Sequence, residues 1–196
     1  MSAALEFDPY SPERLADRAR IQDIMLRWCR AVDRLDLAVM PELFHEDMQD
    51  NHGSYRGDRA GMIRWIGERH QSITFSMHLV SNILIEFSNP DLALVETTIL
   101  SAQRYAPEAR ESLAQSSGGK LGEPGMATDV TGSARYVDRF ERRDGKWKIA
   151  RRTVVFGWKR MEPVPADGPA PLPAWEIQRR DGSDFIFRER AALGIG

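Results

Sequence analysis

The chain is poor in cysteine, in long hydrophobic runs and in charge of one sign. Its single cysteine, Cys29, rules out an intramolecular disulfide and a cysteine-built metal cluster. No stretch approaches the roughly 20 apolar residues that a membrane-crossing helix needs. The opening segment, MSAALEFDPYSPERLADRAR, is charged and has no apolar centre, so no secretory signal is read there. A formal net charge of −2 implies no broad basic surface, so nucleic acid and anionic membranes are not expected partners. The four histidines show neither HxH nor HExxH spacing, and no metal is expected. The GxSxG elbow, the phosphate-binding Walker loop and the dinucleotide glycine pattern are all missing, and so are internal repeats. These absences predict a soluble, cytoplasmic protein.

What is present is enough for one core. Hydrophobic residues make up 42% of a 196-residue chain, which suits a single domain with an appended segment. Residues 1–10 read as a loose arm. Ser11-Pro12 then starts a helix, with Ser11 as cap and Pro12 in the first turn. Ile21, Met25, Trp28 and Val32 follow at helical spacing, with Cys29 beside them. Asp36 suggests a cap for a short second helix through Leu43-Phe44, and Asp58 a cap for a third. After residue 70 the period falls to two, and strands are expected over Phe75–Phe87, 92–105, 128–142 and 146–160. Asp144-Gly145 marks a hairpin between the last two. Residues 106–127 read as a long loop and a candidate lid. Helices followed by strands predict an α+β fold, with a cone-shaped, curved antiparallel sheet and three N-terminal helices enclosing a pocket over 11–160. Pro163, Pro165, Pro169, Pro171 and Pro173 make residues 161–196 a stiff extension, with Phe185-Ile186-Phe187 as its docking segment.

Few polar residues fall where an apolar surface is predicted. Asp33 lies at the edge of the first helix's buried stripe and near its C-terminus, where the helix dipole disfavours a negative charge. It needs a partner: a histidine, a turn N–H or an arginine. His78 shares the mixed face of its strand with Ser76 and Val80. Such an imidazole is either a structural residue with both nitrogens satisfied or, with a carboxylate on one nitrogen, a general base. Arg152 lies among Ala150, Val154, Phe156 and Trp158 and calls for an anion. Tyr136 is either a half-buried strand residue or a phenol facing the cavity. Met25 and Trp28 read as cavity wall, Cys29 as core, and His45, His52 and His70 as surface residues in turns or at a helix end.

Three segments, LADRARIQDIMLRWCRAVDRLD, ITFSMHLVSNILIEF and RYVDRFERRDGKWKIARRTVV, resemble the SnoaL-like branch of the nuclear transport factor 2-like superfamily. The group they are most similar to holds hexachlorocyclohexane dehydrochlorinase, scytalone dehydratase and bile-acid 7α-dehydratase. The resemblance spans roughly residues 12–160, in which the motifs follow in the family's order. It implies a conical barrel that forms dimers or trimers, and a cofactor-independent elimination on an apolar, cyclic or aromatic substrate. It pairs Asp33 with His78 as an acid–base dyad and gives Arg152 the departing anion. Met25, Trp28, Tyr136, Val154 and Phe156 would line the substrate site. An isomerase or polyketide-cyclase-like enzyme with the same dyad, and a non-catalytic binding or accessory subunit, are its rivals. The chain departs from the dehydratases at Trp28, where they carry a tyrosine. The 106–127 segment and the Pro-rich tail are longer than in the dehydrochlorinase.

Overall fold

A computed structural model describes residues 8–168 and 171–195. The expected arm at 1–10 thus lies, over 1–7, outside the described residues, as does Pro169. Helix α1 (Pro12–Arg34) begins where Ser11 Oγ accepts from the Arg14 N–H, and it ends at Leu35 in the left-handed conformation. Its stripe of Ile21, Met25, Trp28, Cys29 and Val32 is buried. Helix α2 (Met40–Leu43) is a single turn that starts after Val39, so Asp36 does not cap it. Strands β1 (Phe44–Asn51) and β2 (Arg56–Asp58) lead into α3 (Arg59–Arg69), where the Asp58 carboxylate accepts from the Gly61 N–H at 2.7 Å.

Four long strands follow: β3 (Ile73–Asn89), β4 (Leu92–Tyr105), β5 (Ala127–Arg143) and β6 (Lys146–Val164). The β5–β6 hairpin turns at Asp144-Gly145, both with positive φ, as an Asp-Gly pair favours. Strand β6 continues past Arg160, so Pro163 belongs to the sheet and pairs with Thr128. The six strands run in the order β2-β1-β6-β5-β4-β3 and do not close. All neighbours are antiparallel except β1 and β6, which pair in parallel. That one parallel pair corrects the purely antiparallel expectation.

Bulges curve the sheet. Ser81 and Asn82 on β3 oppose one β4 residue, and Gly157 is extra on β6. A Cβ at Gly157 would lie 2.6 Å from the Ser133 carbonyl oxygen, so only glycine fits. The concave face packs on α1 and α3 around Phe44, Met48, Phe140 and Ile149. Residues 106–127 are not a structureless loop. They hold α4 (Arg110–Ser117), whose Leu113 packs with Ile73, Tyr105, Ala109 and Val130 as a second small core. After the Pro-rich stretch the chain ends in α5 (Phe185–Ala192). Its Phe185 remains 44% exposed, and polar residues before the helix make the deeper contacts.

Candidate active site

A cavity of about 300 Å³ lies between the concave face and the helices, at the small end of ligand pockets. Trp28 and Val32 wall it from α1, Trp65 and Ile66 from α3, and Ile99, Tyr136, Val154 and Phe156 from the sheet. Helix α4 borders the mouth through Gln115 and Ser116. Trp65 Nε1 donates to Gln115 Oε1 at 3.3 Å, and Lys159 Nζ donates to the Ser116 carbonyl.

Asp33 and His78 meet at this cavity. His78 Nδ1 lies 2.7 Å from Asp33 Oδ1, and the His78 backbone N–H donates to Oδ2 at 2.8 Å. Ser76 Oγ donates to Oδ1 at 2.8 Å. The alternation of β3 puts Ser76 and His78 on one face, so a single carboxylate engages both. A carboxylate can only accept, so the imidazole proton is on Nδ1 and Nε2 is the free nitrogen. Burial pushes the Asp33 carboxyl up, but the hydrogen bonds and charge of His78 outweigh it and hold the group below its ordinary value.

The C-terminal segment braces this corner. Arg180 donates to the Val32 and Asp33 carbonyls at 3.0 and 3.1 Å and to the Ile73 and His70 carbonyls at 2.6 and 3.1 Å. It thereby adds a donor to carbonyls at the ends of α1 and α3 and at the start of β3. Gln178 Nε2 donates to the Ser76 carbonyl at 3.0 Å. Burial brings Arg180 down to about 10, so it stays charged at neutral pH.

Arg152 is placed differently from its expected role. Its guanidinium is fully buried and makes a two-pronged pair with Asp138, at 2.8 and 2.7 Å. It stacks 4.1 Å from the Tyr136 ring and 4.8 Å from Trp28. The anion it calls for is thus Asp138, and Arg152 is not among the cavity-lining residues. Burial opposes its charge, but Asp138 more than offsets this. Met25 is also behind the wall, with its Sδ accepting from Arg152 Nη2 at 3.4 Å. Burial raises the Tyr136 phenol far above its ordinary value and brings Cys29 up to about 12, so neither is an anion at neutral pH.

The three other histidines are not surface residues. His45 is 8% exposed, with Nε2 bonded to the Glu141 carbonyl. His70 is 1% exposed, because the end of α3 turns inward onto Arg180. Burial, then Arg69 and Arg180, push its pKa well below the ordinary value. His52 lines the cavity and contacts Asp50, a pairing for which the sequence offered one signal: Asp-x-His at the end of a strand puts both on one face.

Among the described residues, no group of three or more histidine, cysteine or acidic side chains could hold a metal, and no helix is long and apolar enough to cross a membrane. A model of the SnoaL-like domain matches residues 13–153. No curated protein sequence matches the chain significantly. A scytalone dehydratase-like protein from Novosphingobium aromaticivorans DSM 12444 superposes with a TM-score of 0.61 at 20% identity, over 81% of this chain and 98% of its own. Hexachlorocyclohexane dehydrochlorinase LinA-type3 from Novosphingobium barchaimii LL02 gives 0.59 at 19%, over 82% and 98%. At such identities the likeness establishes a shared fold.

Proposed function

The chain belongs to the SnoaL-like domain family, and from that premise we propose that it is a cofactor-independent lyase acting on a small apolar cyclic or aromatic substrate. The observation that carries this reading is the His78–Asp33 pair: Nδ1 tied to a carboxylate, Nε2 free, at an aromatic-walled cavity. His78 Nε2 takes a proton from carbon. Asp33 fixes the tautomer and stabilises the imidazolium that forms. The C–H electron pair becomes the new double bond as a hydroxyl or halide leaves the neighbouring carbon. Trp28, Tyr136, Val154 and Phe156 hold the ring. Two structural neighbours whose names denote a dehydratase and a dehydrochlorinase support elimination as the reaction class.

Arg152 enters this reading as a support for the Tyr136 and Trp28 rings, since Asp138 already occupies its donors. Its absence from the cavity wall favours, as a second reading, an isomerase or cyclase that needs no anion-holding group. Product analysis separates the two: water or halide release marks the lyase, an isomeric product the alternative. The test of the dyad is a panel of cyclic carbon acids carrying a β-hydroxyl or β-chloride. Asp33→Asn and His78→Ala should each lower turnover by about 10²–10⁴-fold, with circular dichroism and melting temperature close to wild type. Full activity in a folded His78→Ala protein would overturn the assignment.

A further inference from the structure

The cavity holds a second histidine–aspartate pair. Asp50 closes β1 as a buried residue, and two positions on, His52 turns into the cavity. His52 Nδ1 lies 2.5 Å from Asp50 Oδ2. The ring sits among three aromatic side chains, with centroids 5.6 Å from Trp65, 6.3 Å from Tyr136 and 6.4 Å from Trp28. Its side chain is 15% exposed while that of Asp50 is 0%. As at His78, the carboxylate takes Nδ1 and leaves Nε2 for the cavity.

The charges behind the two pairs differ. Asp33 accepts from Ser76 Oγ, the His78 backbone N–H and His78 Nδ1, with the half-buried guanidinium of Arg180 in electrostatic reach. Behind His52 lie two buried carboxylates, Asp50 and Asp138, and the buried guanidinium of Arg152; Arg56, Arg139, Arg143 and Arg151 border the cleft beyond Asp50, and Arg69 and Lys159 line the cavity. Arg152 spends two donors on Asp138, and Asp50 Oδ1 is buried without a hydrogen-bond partner. Asp33 shares its charge among three donors, whereas Asp50 has the His52 imidazole alone, so the Asp50 carboxylate is the less shared partner for an imidazolium.

We propose that His52, oriented by Asp50, is the acid of this cavity, protonating an oxygen leaving group, and that the substrate is therefore a hydroxy compound that loses water. This rests on the lyase reading and deepens it. Chloride departs as a stable anion and needs no proton; hydroxide is a poor leaving group and does. In the balanced step, His78 Nε2 takes the proton from carbon and the C–H pair becomes the double bond. The C–O bond breaks as His52 Nε2 supplies its proton, so water leaves. His52 ends neutral and His78 protonated, and solvent resets both. Two carboxylate-oriented imidazoles in different charge surroundings thus divide base from acid.

The test uses the full-length protein and pairs of cyclic substrates that differ only in hydroxyl or chloride at the leaving position. His52→Gln should lower water elimination about 10²-fold or more relative to chloride elimination on the matched substrate. His78→Ala should abolish both reactions. Equal loss on both substrates, or water elimination within 3-fold of wild type, overturns the acid role. A wild-type enzyme that expels chloride but no hydroxyl overturns it too, and leaves the lyase reading standing. If neither substrate of any pair reacts, both readings fall.

Discussion

At the scale of single residues, the fold is notable for how many ionisable side chains it removes from water. His70 lies between Arg69 and Arg180, 1% exposed. Its folded-state pKa is depressed, so the unfolded chain binds its proton first. The stability this group contributes is complete above about pH 6.5 and is lost as pH falls below that value towards the folded one. Chemical-denaturation midpoints at pH 7.5, 6 and 5 should therefore fall more steeply for wild type than for His70→Gln; parallel curves would contradict this. The buried Arg152–Asp138 pair makes a second prediction. Removing one partner, in Asp138→Leu, should cost about 3–5 kcal/mol by leaving a buried charge uncompensated, whereas Arg152→Met with Asp138→Leu should recover most of it. A double-mutant cycle in urea checks both. These residues also show where the sequence stops being legible. Asp33 and His78 each fit a structural role alone, and resemblance was needed to pair them. Arg152 was recognisable as a cation seeking an anion, but its anion is on the neighbouring strand, at a register no spacing reveals. His45, His52 and His70 read as surface because turn chemistry says nothing about which way a turn faces.

At the scale of elements, the period change near residue 70 marks the passage from helices to strands, and the Asp144-Gly145 turn sets the last hairpin, both readable from the chain. The β1–β6 pairing was not readable, because parallel partners far apart in sequence leave no local trace. Helix α4 was also hidden: a weakly amphipathic stretch among glycines and serines looks like loop until Leu113 finds its small core. The tail is the element whose contacts the sequence predicts least well. Its apolar Phe-Ile-Phe run reads as the docking segment, yet Arg180 makes the deep contacts, donating to carbonyls at the ends of α1 and α3 beside Asp33. Arg180→Ala should lower stability by about 1–3 kcal/mol from the lost buried hydrogen bonds. It should also lower turnover by loosening Asp33. Arg180→Lys, which keeps the charge but not the fork, should rescue stability only in part. An Arg180→Ala protein with wild-type melting temperature would show the contacts to be incidental.

At the scale of the molecule, the sheet has two unlike faces. The concave one holds the core and cavity. The outer face of β3 and β4 presents Phe75, Met77, Leu79, Leu84, Leu94 and Leu100 to solvent, each at least 37% exposed. Leu79 and Leu100 are cross-strand partners, so these residues form a patch, unlike apolar residues scattered singly. Strand β3 also ends the sheet with an edge 17 residues long. The oligomer expected from the sequence resemblance would cover this face with a second copy of the chain. Sedimentation velocity should show an oligomer that Leu79→Glu with Leu100→Glu converts to monomer; a monomeric wild type would contradict it. The most direct test of the central claim is proton nuclear magnetic resonance of a cyclic β-hydroxy or β-chloro carbon acid incubated with wild type and with folded His78→Ala. The dyad predicts a new alkene with water or chloride released by wild type alone. The same alkene forming at the wild-type rate in His78→Ala would contradict it.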